Sequence, residues 1–147
     1  MNRKPVSPSL YTKEYYQKYN HGYEVSKKNL DMLPELKNFL KEYITKGDNV
    51  LDVGCGRGES IYLCHKIGAR CVGIDYSKDA VAIARANLSR VLTNRNIKIT
   101  VADAKKLPFK KGMFNVVIMM DIVEHQFYGI DKLTPRVHSQ HLERYHL

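Results

Sequence analysis

No apolar run in this chain of 147 residues approaches the length needed to cross a bilayer. The first residues, Met1-Asn2-Arg3-Lys4-Pro5, hold none of the apolar stretch of a signal peptide, so a cytoplasmic location and no membrane partner are expected. Cysteine is scarce. Cys55, Cys64 and Cys71 are odd in number and lack the short paired spacings of a zinc site, so they read as reduced, packed thiols and no metal is expected. Acid is outnumbered by base, 15 Asp and Glu against 24 Lys and Arg, for a net charge of +9. The cations come in scattered pairs (Lys27-Lys28, Lys105-Lys106, Lys110-Lys111) rather than in one tract, and no RNA-reading motif accompanies them. Such a surface attracts anions, nucleic acid included, without naming a substrate. The length is that of one domain with a modest core.

What the chain does have is Val50-Leu51-Asp52-Val53-Gly54-Cys55-Gly56-Arg57-Gly58, followed by Asp75 at the end of the apolar run Cys71-Val72-Gly73-Ile74. Glycines at alternate positions leave a strand and enter a helix, where main chain without Cβ atoms lets a ligand come close. If the two strands are parallel neighbours, the Asp75 carboxylate lies beside that turn. This is the pattern of a nucleoside-binding βαβ unit. A dinucleotide fingerprint would place glycines at 54, 56 and 59, and position 59 is Glu. A carboxylate at the helix start repels a diphosphate and already uses the positive end of the helix dipole. A cofactor without phosphates fits better, and an NAD-dependent oxidoreductase is the remote alternative.

At this point the chain resembles the class I S-adenosylmethionine-dependent methyltransferases, through four motifs in order: the loop Asp52–Gly58, the acid of Gly73-Ile74-Asp75-Tyr76-Ser77, the Val101-Ala102-Asp103-Ala104 segment before Leu107-Pro108-Phe109, and the strand Phe114–Met120 leading into Asp121-Ile122-Val123-Glu124-His125. The resemblance implies S-adenosyl-L-methionine as cofactor. It implies that Gly54, Cys55 and Gly56 bring main chain against the methionine and ribose portions, and that Asp52 orients the loop or the amino group. Asp75 would take both ribose hydroxyls, Tyr76 would lie along the adenine, Asp103 and the Ala104 amide would bind the adenine edge, and Met120 would line the methionine side. For Asp103-Ala104 a plain turn is the competing reading.

Along the chain, residues 1–46 read as a tyrosine-rich lid and a helix, 47–125 as the cofactor-binding domain, and 126–147 as a divergent tail. Tyr11, Tyr15 and Tyr19 share a helical face, with Tyr16 and Tyr23 nearby, and either fold over the cofactor or pack on the domain. A helix opened by Pro34 is expected over 34–45, and strands over 49–53, 70–75, 97–101 and 114–120. Helices are expected over 58–67, stopped by Gly68, and over 78–90, capped by Ser77. Strand–helix alternation means a parallel sheet with flanking helices. The resemblance adds a Rossmann-like α/β fold of about four strands in the order 3-2-1-4, with the cofactor at their carboxyl ends. The 22 residues after His125 hold no strand-like run, and Thr134 onward reads as one short helix with Leu133, Val137 and His141 inward. The sheet is therefore expected to stop before a fifth strand. That would leave the uncharged Phe114–Met120 strand as an open edge prone to self-association or to recruiting a partner chain.

Asp121, Glu124 and His125 share a helical face at i, i+3 and i+4, a pattern open to general-base or metal chemistry. Acids so spaced more often cap or solvate a helix, and the catalytic residues are left unassigned. His138, His141 and His146 have no partners at fixed spacing. The functional reading is a methyltransferase acting on an unidentified, small-molecule acceptor. The alternative is an inactive cofactor-binding fragment or a subunit that needs a partner chain.

Overall fold

The computed structural model describes residues 7–10, 12–18, 30, 32, 34–92, 98–120 and 137–140. Helices α1 (Lys13–Lys18) and α2 (Pro34–Tyr43) precede strand β1 (Asn49–Val53). Then come α3 (Glu59–Ile67), β2 (Arg70–Asp75), α4 (Lys78–Val91), β3 (Lys98–Val101), β4 (Val116–Met120) and β5 (Val137–Gln140). The strands form one parallel sheet in the order β3-β2-β1-β4-β5. No helix among the described residues is long and apolar enough to cross a membrane.

β4 is apolar on both faces, as an interior parallel strand should be, and β1 departs from this at Asn49 and the buried Asp52. Leu51 and Val53 of β1 pack with Val117 and Met119 of β4, Ile74 and Phe114 on one face of the sheet. Val50, Val116 and Ile118 turn to the other face, against Leu40 and Ile44 from α2 and its exit and Leu63 and Cys64 of α3. There α4 buries Val81, Ala84 and Leu88 with Ile61, Cys55 and Ile99. Gly73 of β2 makes this contact possible. A Cβ there would lie 2.4 Å from Ile61 Cδ1 and 3.1 Å from Cys55 Sγ, so any larger residue would require the Ile61 and Cys55 side chains to give way.

The expected end of α2 falls two residues early because Asp48 takes over. Its Oδ2 accepts from the Thr45 amide (2.8 Å) and hydroxyl (3.1 Å), and its Oδ1 accepts from Asn115 Nδ2 (2.6 Å). Asn115 Oδ1 in turn accepts from the Asn49 amide (2.7 Å). The network ties the exit of α2 to the starts of β1 and β4. Buried at 6% exposure, Asp48 would lose about 1–3 kcal/mol for each partner removed without replacement.

The strand order 3-2-1-4 and its parallel sense are as expected; the stop after four strands is not. Val137–Gln140 pairs with β4 in parallel, Val117 opposite Val137 and Met120 opposite Gln140, so β4 is interior and β5 is the edge. The short helix expected from Thr134 is thereby corrected as well, since 137–140 is extended. The reason lies in the neighbour: an apolar strand with an unpaired edge accepts a partner for its main-chain groups whatever that partner's side chains.

Candidate functional site

The carboxyl ends of β1 and β2 and the loop between β1 and α3 form the candidate site. The Ile74 carbonyl accepts from the amides of both Gly54 (2.8 Å) and Cys55 (2.9 Å), and the Gly58 amide donates back to Cys55 O (2.9 Å). The Gly56 amide donates to Asp75 Oδ2 (3.1 Å), and the Ser77 amide donates to Asp75 Oδ1 (2.9 Å). Four loop amides are thus engaged within the protein. From behind, Asn87 Nδ2 of α4 donates to Arg57 O (3.1 Å). Gly58 closes the loop at φ 94°, and a Cβ there would meet Leu88 Cδ1 at 2.9 Å, so this turn is kept for glycine by conformation and by space.

Three carboxylates surround the loop. Asp52 is 2% exposed, and its Oδ2 has no hydrogen-bond partner among the described residues. Burial, then the charges of Asp75 and Glu59, raise its pKa from 3.8 to about 8. Asp75 is raised too, first by burial, although the amides of Ser77, Gly56 and Tyr76 oppose the shift. Glu59 opens α3 and pairs with the buried Arg57 (Oε1–Nε 3.5 Å). Sequence reasoning used Glu59 only against phosphate. Its charge acts at Asp52 in the same site, a consequence of packing that its place in the helix does not reveal.

The remaining predicted residues lie along the same rim. The Ala102 amide donates to Asp75 O (2.9 Å), which brings the end of β3 beside that of β2. Asp103 is exposed and holds its own turn, its Oδ1 accepting from the Lys105 amide (2.9 Å). Tyr76 has its phenol pushed upward, by burial first and then by Asp75 and Asp103. Ala104 packs with Leu107 and Phe109 against the Leu51 face, and Met120 closes β4. The Cys55 side chain turns into the core beside Gly73, where burial pushes its thiol well up; only its main chain belongs to the loop. Cys64 is buried, and its closeness first, then burial, pushes the Cys71 thiol upward.

Helix α1 reaches this rim, its Lys13 amide donating to Asp79 Oδ2 (3.2 Å) in the first turn of α4. Tyr15 stands on it, while Tyr11, Tyr19 and Tyr23, like Asp121, Glu124, His125, His141 and His146, lie outside the described residues. Among the described residues no group of three or more His, Cys, Asp or Glu is placed to hold a metal. A cavity of about 440 Å³ opens between α2 and α3, lined by Lys37, Lys41, Glu59, Tyr62 and Lys66.

One consequence concerns stability. A carboxyl whose folded pKa lies above its unfolded value stabilises the fold while protonated, and that contribution falls as pH rises, here from about 4 to about 8. Asp52→Asn is expected to be more stable than the parent by a margin that widens over this range, reaching about 1–4 kcal/mol at pH 8 and above. Urea unfolding at several pH values measures it. Parallel curves for the two proteins would show that Asp52 ionises freely in the fold.

Comparison with known proteins yields a consistent set. The methyltransferase-domain family matches residues 50–139. The uncharacterized protein MJ1252 of Methanocaldococcus jannaschii is 36% identical over 106 residues, 72% of this chain and 38% of that protein. The ribosomal protein L11 methyltransferase of Thermotoga neapolitana is 30% identical over 103 residues, 69% of this chain and 38% of its own length. Among solved structures, the PH0226 protein from Pyrococcus horikoshii OT3 superposes with a TM-score of 0.60 at 31% identity, covering 78% of this chain and 53% of that one. The chain thus spans well under half the length of the curated relatives it matches.

Proposed function

The chain belongs to the methyltransferase-domain family, and from that premise we propose that it binds S-adenosyl-L-methionine and serves methyl transfer to a small-molecule acceptor. The observation that carries the cofactor reading is the state of the glycine loop. The amides that a diphosphate would need are already donated to Ile74, Asp75 and Cys55, and the acids Asp75 and Glu59 border the loop. Such a site fits a ligand that carries positive charge and no phosphate, which also disfavours the dinucleotide alternative.

Asp75 accepts from the Gly56 amide on Oδ2 and from the Ser77 amide on Oδ1, and its remaining acceptor capacity serves the ribose hydroxyls. Gly54, Gly56 and the Cys55 main chain line the methionine and ribose side, with Met120 opposite at the end of β4. Tyr76 lies along the adenine, and Asp103 with the Ala104 amide receives its edge. When bound, S-adenosylmethionine supplies an activated methyl on a sulfonium together with its own leaving group. The protein's part is then mainly to align the acceptor with the methyl carbon, which needs position more than acid–base chemistry. A second reading is a cofactor-binding unit whose transfer needs a partner chain.

Calorimetric titration separates the readings. S-adenosylmethionine is expected to bind and NAD to give no heat of binding; the reverse would overturn the cofactor assignment. Binding without methyl release to any of a pool of small acceptors would favour the second reading.

A further inference from the structure

The two ends of the parallel sheet carry opposite charge. Asp52, Glu59, Asp75 and Asp103 gather at the carboxyl end, while the chain enters its strands at the amino end beside lysine and arginine. Main-chain bonds draw those entries together. The Gly47 amide donates to Gly68 O (3.0 Å), the Arg70 amide to Asp48 O (2.8 Å) and the Asn115 amide to Asn49 O (3.0 Å). Lys46 therefore stands beside the end of α3, its Cγ 3.1 Å from where a Cβ on Gly68 would lie, and Lys66 occupies the last turn of that helix. Arg70 opens β2, its Nη1 donating to Asn49 Oδ1 (3.3 Å), and Lys98 opens the neighbouring β3. Lys110 and Lys111 stand on the turn before β4, where the Met113 amide donates to Lys110 O (3.4 Å). Cations scattered in the sequence thus become one face of the fold, and all six are exposed. Acids offset little of this charge. Asp48 is buried with both oxygens engaged by Thr45 and Asn115, and Glu42 in the last turn of α2 is the exposed acid nearest along the chain. A crevice of about 320 Å³ opens at this end, lined by His65, Arg70 and Lys98 over Val72 and Phe114, with no acid among the described residues that line it. Met113 on its edge is 48% exposed.

We propose that the amino end of the sheet is a docking surface for single-stranded nucleic acid. Charge selects a polyanion. The cations reach from β3 across β2 and β1 to the entry of β4, three strand spacings or about 14 Å. No single phosphate meets them all at that spread, whereas consecutive phosphates of one strand do. The exposed Met113 and the planar Arg70 guanidinium offer surfaces on which unstacked bases lie, a contact that an acidic peptide lacks and a duplex withholds. The glycine loop is at the opposite end of β1, about 17 Å away over its five residues. This surface therefore holds a partner without itself presenting the methyl acceptor, and the proposal stands apart from the cofactor reading.

Fluorescence anisotropy of a labelled oligouridylate of about 12 nucleotides, a length within the span of known single-strand sites, tests the proposal. Binding is expected, with log affinity falling against log salt at a slope of about −3, the value for roughly four neutralised phosphates. Lys110→Gln with Lys111→Gln is expected to weaken binding about tenfold and to flatten that slope by about 1 to 2. Lys105→Gln with Lys106→Gln removes the same charge from the cofactor end of the same loop, and is expected to change affinity by less than about twofold. Should either pair fail to fold, lysine acetylation of the unaltered chain gives the same answer: bound oligomer is expected to protect Lys110 and Lys111 and to leave Lys105 and Lys106 reactive. No binding, or equal loss or equal protection at the two ends of the loop, would overturn the proposal. So would displacement of the oligomer by polyglutamate of matched charge, which would make the partner an acidic peptide, or by uridine monophosphate, which would make the site one for a single phosphate.

Discussion

Replacing Asp75 with alanine is expected to weaken S-adenosylmethionine binding about 10- to 100-fold, the ~1.5–3 kcal/mol of hydrogen bonds made to a charged group. The effect has two sources in the structure. Asp75 presents acceptors at the end of β2, and its Oδ2 also receives the Gly56 amide that sets the glycine loop, while Oδ1 receives the Ser77 amide at the start of α4. Without the carboxylate the loop loses its tie to β2 at Gly56, although the Gly54 and Cys55 amides still hold it to Ile74. Asp75→Asn sharpens the test, because one amide oxygen can keep one of these bonds while the NH₂ faces a main-chain N–H as donor against donor. Calorimetry gives the affinities, and thermal unfolding of each variant separates lost binding from lost fold. Equal affinity of Asp75→Ala and parent would remove Asp75 from the ribose site.

Most of the local geometry around the glycine loop could be read before any coordinates, for physical reasons. β1 and β2 have the bounds expected of them because each is an apolar run punctuated by glycine or acid, and Ser77 caps α4 through its Ala80 contact (3.2 Å) as its position required. The three-glycine loop and Asp75 are close in space because parallel neighbours bring Val53 opposite Ile74. The condition of Asp52 could not be read this way. Its isolation depends on which side chains α3 and β2 direct toward it, and that is settled by packing rather than by spacing. Glu59 shows the same limit, since its place in the helix was plain but its field at Asp52 was not. β5 was illegible for another reason. Val137-His138-Ser139-Gln140 contains one aliphatic residue, and nothing local marks it as a strand.

That strand supports the second large effect. A chain ending at residue 136 is expected to self-associate or precipitate where the 147-residue chain does not. The cause is β4: Val116, Val117, Ile118 and Met119 are all buried, with no lysine, proline or bulge to discourage pairing along an exposed edge. With β5 present, the main-chain groups of Val117 to Met120 face Val137 to Gln140. Removing β5 leaves those groups unpaired beside an apolar strand, the condition under which chains add to one another. The opposite edge of the sheet is better defended, since β3 begins at the exposed Lys98 and exposes Thr100 as well. Association should therefore run through β4, and introducing lysine at Val117 in the shortened chain would not rescue it, because that side chain points into the Leu51 face and would unfold the core. Sedimentation of both chains at tens of micromolar, roughly the range in which exposed strand edges associate, measures the difference. A shortened chain that sediments as a well-behaved monomer would mean that β5 contributes pairing without protection, and that the edge of β4 is closed by other residues.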